Sequence, residues 1–495
     1  MKNLRKIMPV AAAAAMMLAG CAGDPSALFQ NVELAKGYKA QKEHNPIATQ
    51  RFGADPYAME YNGRVYVYMT NDVLEYKGDT LVNNSFQTIN KIFCVSSDDL
   101  VNWTDHGAMV IAREDGAAKW AQFSWAPSAC HKTVDGKEKF FLYFANSGNG
   151  IGVVTSDTPY GPWVDPINKA IINRETPTCN TVTWLFDPAV LVDDNGDGYL
   201  FVGGGVPMVD GKPQPENPGT ARVVKLDDSF TALDGDPVAI CPPWLFEDAG
   251  ANKIGDTYYY SYCTNFSNPN GNNGAIAYMT SKNPMGPYEF QDIVFDNPAT
   301  ITGIGGNNHH AICKLGNDYY LFYHTQQLRK NMGVQADGYR STNVDKVTVT
   351  ADGKIEKVQG TFTGVEQIKD FDPFQLVQAE TMAWEGGIAT SYVDGGTNMT
   401  VDAKTGAWMG LAGVNFGDGA SKFTASVKAD GAAPAAIKIC LDKADGECVG
   451  YLDIKGTNGQ FANASASLSK TVSGKHDLFF VFAGDFKIDT WQFAK

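Results

Sequence analysis

The chain has 495 residues, with 55 Asp and Glu against 40 Lys and Arg, and a formal net charge of −15. Aromatic residues make up 12% and charged residues 19%, too aromatic and too weakly charged for a disordered chain, and the 51 glycines lack a collagen period. The negative excess repels phosphate backbones and excludes nucleic acid as a partner. Richness in aromatics and glycine, without long helical apolar patterns, predicts an all-β protein of short strands and turns.

Lys2, Arg5 and Lys6 open the chain, and an uncharged apolar run from Ile7 to Ala19 follows. This is the pattern of a secretory signal over residues 1–20, too short to span a bilayer. The ending Leu18-Ala19-Gly20-Cys21 resembles a bacterial lipobox. That resemblance implies lipidation at Cys21 and an exported lipoprotein, anchored in a membrane and facing the periplasm or the cell surface. Residues 21–39 are then expected to be a tether.

Five segments between residues 40 and 365 share one outline: an anchor residue, an apolar strand, a turn with Gly or Asn, then an aromatic strand. They open with Asp55-Pro-Tyr, Ala126-Pro-Ser, Asp187-Pro-Ala, Glu247-Asp-Ala and His309-His-Ala. The anchors are spaced by 71, 61, 60 and 62 residues. A period of about 60 residues holds four short strands, the length of one propeller blade. Five blades make a five-bladed β-propeller, and equivalent inner-strand residues of every blade converge on its axis. Within the third repeat, Asp193-Asp-Asn195-Gly-Asp197-Gly198 opens like an EF-hand loop, but its twelfth position is Gly204 rather than Glu, so it is read as a turn.

Residues 366–374 read as a connector. Residues 375–495 alternate strands with Gly, Asn and Asp turns, the pattern of a β-sandwich of jelly-roll size. Trp408 and Phe416 are candidates for a sugar-stacking pair there. Apart from Cys21, the eight cysteines contain no Cys-x-x-Cys pair and mostly sit in apolar strands, so they are read as buried thiols; Cys440 and Cys448 are placed to bridge a hairpin.

Asp55, Asp187 and Glu247 each open an inner strand, and three carboxyls at one funnel mouth push each other's pKa values apart. Such a split is what glycoside hydrolysis requires: one protonated carboxyl for the leaving oxygen and one carboxylate to deprotonate water. A turn former before Pro is the structural alternative for any one of them; three in register favour chemistry. Trp125, Trp184 and Phe246 lie beside anchors and are candidates to stack on sugar rings.

Phe52-Gly-Ala-Asp55-Pro56, Phe186-Asp187-Pro188-Ala-Val-Leu-Val and Phe246-Glu247-Asp248-Ala249, with the Pro-x-Gly-Pro-aromatic segments ending at Trp163 and Tyr288, resemble glycoside hydrolase family 43. The resemblance implies that Asp55 is the general base, that Glu247 is the general acid, and that Asp187 tunes and orients Glu247, with inversion at the anomeric carbon. It places His309 at the axis, near the sugar or a central ion or water, and Arg340 near the subsite for the terminal sugar. The two ends of the C-terminal region, Val377-Gln378-Ala379-Glu380 and Asp489-Thr490-Trp491, resemble carbohydrate-binding module family 6. There Glu380 and Asp489 would be calcium ligands. This chain departs from that family where sugar is usually held, with Lys487-Ile488 before Asp489 and Phe461 where a Trp is common.

The expected activity is an inverting glycosidase on plant cell-wall pentosans. Removal of α-L-arabinofuranosyl side chains from arabinoxylan leads, with β-xylosidase action on xylo-oligosaccharides as the alternative. A non-catalytic glycan-binding lipoprotein and a protein scaffold are the readings from other classes; neither requires three axial carboxyls together. No cofactor is expected for the chemistry, a structural Ca2+ is expected in the C-terminal domain and allowed at the propeller axis, and the protein is expected to be a monomer.

Overall fold

The computed structural model describes residues 24–393, 396–431 and 433–495, so the signal-like segment and Cys21 lie outside the described residues. Blade 1 consists of the antiparallel strands Ala54–Tyr61, Arg64–Thr70, Lys91–Ser97 and Trp103–Val110. Its second strand, Arg-Val-Tyr-Val-Tyr-Met-Thr, is β-branched and aromatic along both faces, and all of it beyond Arg64 is buried because neighbouring blades cover both sides. Blades 2, 3 and 4 repeat the plan, with innermost strands Trp125–Val134, Ala189–Val192 and Leu245–Ile254. Blade 5 contains three strands, His310–Leu315, Asp318–Thr325 and Ser341–Val347.

An early part of the chain completes blade 5 and closes the ring. Ile47 N–H donates to Thr342 O at 2.9 Å, and the Asn45 side chain bonds both the N–H and the carbonyl of Val344 at 2.8 and 3.0 Å. Separate cores cement each blade to the next. Phe140, Leu142 and Phe144 of blade 2 interlock with Tyr68, Ile92 and Cys94 of blade 1, and Val67 and Phe93 of blade 1 meet Phe322 and Val344 of blade 5.

The inner strands share a device that aims residues at the axis. In blade 1 the ladder pairs Ala54 with Thr70 and resumes with Tyr57 opposite Tyr68; blade 2 skips between Trp125 and Ser128 in the same way. The first residue of each bulge has a positive φ: Asp55 at 48°, Ala126 at 39°, Asp187 at 49° and Asp248 at 67°. A non-glycine residue there costs about 1 kcal/mol or more, and strain of this kind gathers at functional sites. His309 holds the same place in blade 5, six residues before the hairpin pair Leu315–Asp318, as Asp248 is before Ile254–Thr257. The backbone repeat therefore runs through 55, 126, 187, 248 and 309. Glu247 is displaced by one residue from the anchor position the sequence pattern gave it, and Asp248 holds the axial place. The Asp193 segment is a turn, closed by a bond from Asp193 N–H to Asp197 O at 2.9 Å.

The C-terminal sandwich stacks two sheets. One runs Ala389–Tyr392, Met399–Ala403, Phe486–Ala494, Ala420–Lys428, Ala462–Val472; the other runs Trp384–Gly386, Trp408–Asn415, Lys475–Ala483, Ala435–Leu441, Glu447–Ile454. Phe423, Phe480, Trp491 and Phe493 fill the space between them. The sandwich is continuous with the propeller. Thr381–Met382 pairs with Trp103–Thr104 as a fifth strand of blade 1, and Asn102 exchanges two hydrogen bonds with the Ala412 backbone.

Three expectations change here. The described part of the expected tether is docked on the sandwich: Ala35 N–H donates to Gly406 O at 2.8 Å, and the Phe29 ring lies 5.6 Å from Tyr451. Trp408 and Phe416 do not form an exposed pair, because the Trp408 indole N–H donates to Ala35 O beneath this strap and Phe416 is wholly buried in the sandwich core. Cys440 and Cys448 face each other across their hairpin as thiols. Of the eight described cysteines, only Cys241 is exposed. Among the described residues no helix is long and apolar enough to cross a membrane.

Candidate active site

A pocket of about 150 Å3 opens at the mouth of the propeller axis. Asp55, Asp187, Glu247, His309, Arg340 and Trp125 all contribute to its wall, so the structure brings together six of the residues singled out from sequence. Phe86, Ile89 and Phe186 supply the apolar part of the wall.

Asp55 is held by two neighbours. Arg340 Nη1 lies 2.7 Å from Asp55 Oδ1, while Arg340 Nε and Nη2 grip the two oxygens of Asp72 at 2.9 and 2.8 Å. Asp55 N–H donates to His324 Nδ1 at 3.1 Å, which leaves His324 Nε2–H for the Asn307 carbonyl at 3.0 Å. Burial pushes the Asp55 pKa up, but Arg340 holds the carboxyl well below the ordinary range.

Glu247 lies one residue before the bulge of blade 4, where blades 2 and 3 carry Trp125 and Phe186, and all three line the pocket. Below it runs Gly203-Gly204-Gly205. A Cβ on Gly204 would sit 2.6 Å from Phe246 O and 3.2 Å from Glu247 Cα, so only glycine admits this approach. Burial, reinforced by Asp187, Asp55 and Asp248, pushes Glu247 well above the usual carboxyl range. Its Oε1 is buried without a hydrogen-bond partner. Asp187 is raised too, by burial and then by Asp55 and Asp248, and its Oδ2 accepts the Asp248 N–H at 3.1 Å. His309 Nδ1 faces Asp55 Oδ1 at 3.8 Å and Asp187 Oδ2 at 3.9 Å. Burial lowers the His309 pKa against the opposing pull of Asp248 and Asp55.

Trp184 and Phe246 are off the pocket wall, which corrects their expected place. Strand alternation turns Phe246 away from the side that Glu247 faces. Trp184 packs edge-on against Phe186 at 5.5 Å and Phe246 at 5.1 Å, and Phe246 continues the row to the half-exposed Phe266 at 5.3 Å. Sequence reasoning missed Phe186, Phe86, Asp72, His324 and Asp248. Phe186 and Asp248 were detectable, since each is one residue from a predicted anchor; the others come from loops and from the ends of second strands, outside the repeated outline.

Among the described residues no group of three or more His, Cys, Asp or Glu side chains is arranged to hold a metal ion. Asp55 Oδ1 is taken by Arg340 and Asp187 Oδ2 by the Asp248 N–H, so this donor set does not fit a directly ligated ion, and no chemistry is routed through one. In the sandwich, Glu380 is buried with Oε2 unpaired, and burial together with Asp105 and Asp489 pushes its pKa well up. An orphaned buried carboxyl beside other carboxyls suits a hard cation ligated by oxygen.

A pocket at the propeller axis, with one carboxyl pushed toward the neutral form and another held toward the ionised form, on a propeller joined to a jelly roll, is the arrangement of a glycoside hydrolase. The chain belongs to glycosyl hydrolases family 43, whose pattern matches residues 43–355, and residues 378–495 match carbohydrate binding module family 6. It is similar to an arabinoxylan arabinofuranohydrolase of Bacillus subtilis (strain 168), 45% identical over 91% of this chain and 92% of the relative. A second arabinoxylan arabinofuranohydrolase, from Paenibacillus polymyxa, is 42% identical over 91% of this chain and 74% of that protein. Among solved structures, a Bacillus subtilis arabinoxylan arabinofuranohydrolase in complex with cellotetraose superposes with a TM-score of 0.89 at 43% identity, covering 94% of this chain and 99% of that one.

Proposed function

We propose that the protein removes single α-L-arabinofuranosyl side chains from arabinoxylan with inversion. The observation that carries this reading is the opposite displacement of two carboxyls in one pocket: Glu247 raised with a free oxygen, Asp55 lowered by Arg340. Glu247 donates its proton to the glycosidic oxygen as the bond to the anomeric carbon breaks. A water attacks that carbon from the opposite face and passes a proton to Asp55, giving free arabinose of inverted configuration and the debranched polymer with its hydroxyl restored. Asp187, held by the Asp248 N–H, keeps Glu247 protonated through its proximity. Trp125 and Phe186 offer apolar faces to the sugar.

The similarity to two arabinoxylan arabinofuranohydrolases over nine-tenths of the chain supports this substrate. Wild type and Glu247→Ala are to be compared on aryl α-L-arabinofuranoside, aryl β-D-xyloside and arabinoxylan. Arabinose release lost in the variant is expected; xylose release alone would replace the substrate, and no hydrolysis would end the reading. NMR of the first-formed anomer is expected to show inversion, and net retention would remove Asp55 from its role.

The proposal extends to three features outside the pocket. Glu380 and Asp489 hold a structural Ca2+, so chelator should lower the melting temperature without changing the anomer formed. Cys21 carries a lipid anchor, so mass spectrometry of the membrane fraction should find the mature chain beginning there. The protein acts as a monomer, which sedimentation tests directly.

A further inference from the structure

Asp248 occupies the axial place of blade 4 and is wholly buried, yet it does not line the sugar pocket. Both its backbone and its side chain reach supports of the pocket acids. Its N–H donates to Asp187 Oδ2 at 3.1 Å. Its Oδ2 lies 2.5 Å from His310 Nδ1, and His310 Nε2 lies 2.7 Å from Ser261 Oγ. The second oxygen, Oδ1, makes no hydrogen bond and sits 3.2 Å from His309 Nε2. On the far edge of that ring, Nδ1 faces Asp55 and Asp187.

The donors and acceptors in this row have a definite order. With the Ser261 hydroxyl donating to His310 Nε2, the His310 proton is on Nδ1 and is donated to Asp248 Oδ2. A carboxylate oxygen facing His309 Nε2 favours the proton on that nitrogen, which directs a lone pair, and not an N–H, toward Asp55 and Asp187. The packing leaves little freedom. A Cβ on Gly250 would sit 2.3 Å from Ser261 Oγ and 2.8 Å from His310 Nε2, so the row lies directly against bare backbone.

We propose that Asp248 is a positioning residue for the reaction: its N–H orients Asp187, and its carboxylate fixes the tautomer and the tilt of His309 between Asp55 and Asp187. It does not touch the sugar. The kinetic consequence rests on the arabinofuranosidase reading, whereas the consequence for His309 does not.

The test is Asp248→Asn in the full chain, read in two ways. Asn tolerates the left-handed backbone of this position, so the bulge is kept. An amide presents one acceptor and one donor, so it cannot turn an oxygen to both rings as the carboxylate does, and one of the two histidines is expected to change tautomer. Nitrogen-15 NMR of the imidazoles is expected to show that change at His309 or His310. The kcat for arabinose release is expected to fall about 10- to 100-fold, the scale of a misplaced reacting group, with KM within about threefold. Unchanged tautomers would overturn the proposal, whatever the activity, and so would a wild-type kcat. If wild type itself releases no arabinose, the arabinofuranosidase reading fails while the NMR arm still decides the role of Asp248. Should D248N fail to fold, H310Q loosens the same carboxyl and carries the same expectations for His309 and for kcat.

Discussion

Arg340 and Asp55 form a buried ion pair at 2.7 Å in which the cation is shared, since Asp72 takes the rest of the guanidinium fork. Both groups are almost wholly buried, so the pair is screened little by solvent. Asp55 is thereby kept ionised beside three other carboxyls that burial drives toward the neutral form.

Arg340→Lys tests that arrangement, because a lysine keeps the charge but cannot hold two carboxyls in one plane. The acid limb of kcat/KM is expected to move to higher pH as Asp55 returns toward the ordinary range. Stability at neutral pH should fall by about 3–5 kcal/mol if Arg340→Met leaves both carboxyls unpaired. Denaturant melts of both variants check this, and an unmoved acid limb in R340K would disconnect Arg340 from the base.

The wild-type pH profile is expected to be broad. Activity should be lost on acidification only below the usual carboxyl range, where Asp55 takes a proton, and on alkalinisation only above it, where Glu247 loses one. An alkaline limb at the ordinary Glu value, removed by E247Q or not, would contradict the role of burial at Glu247.

Glu247→Gln is expected to cripple catalysis and stabilise the fold. A carboxyl whose folded pKa is raised binds more protons folded than unfolded above its unfolded value of 4.5, so wild-type stability falls as pH rises from there toward the folded pKa. An amide has no such penalty. The variant should match wild type at low pH and gain by up to about 1.4 kcal/mol per pH unit across that window. Melts at several pH values measure it, and a pH-independent difference would refute it.

Much of the fold is legible in the sequence because a propeller repeats itself. The period of about 60 residues, the aromatic second strands and the Asp-Pro anchors are enough to predict five blades and the axial convergence of Asp55, Asp187 and His309. Glu247 shows the limit of such reading: a one-residue bulge shift is invisible in an outline of apolar and polar residues, although it decides which side of the strand faces the sugar. Asp72 and His324 lie outside any repeat, at the ends of second strands, and only the closed ring brings them to Asp55.

The aromatic row separates wall from shoulder. Phe186→Ala and Trp125→Ala should raise KM for a small aryl arabinofuranoside about tenfold, the scale of a lost ring contact. Phe246→Ala, which opens no pocket wall, should change it less than about threefold on that substrate. Equal effects at Phe186 and Phe246 would return Phe246 to the pocket.

Propeller and sandwich are expected to melt together. Trp384, with its indole N–H on Glu43 O at 3.0 Å and its ring stacked on Phe479, lies in the core they share. Calorimetry of the full chain should show one transition, and Trp384→Ala should lower all of it, by about 3–5 kcal/mol. Two resolved transitions, with only the later affected, would mean separable domains.

The strap from Asp24 to Gln41 sets an order on the making of the molecule. Its contacts reach across the whole chain: Ala35 to Trp408 is a separation of 373 residues, and Gln41 to Asp442 is one of 401. Tyr38 already finds Leu328, Asn331 and Tyr339 in the propeller, but residues 24–35 have no surface to settle on until nearly the last strands have been made. The propeller ring can close on its own early contacts, but this part of the strap stays unplaced until the sandwich is complete, and contacts of this span are slow to find. Docking of the strap is therefore a late event, and its burial marks a molecule whose last strands have been made and folded.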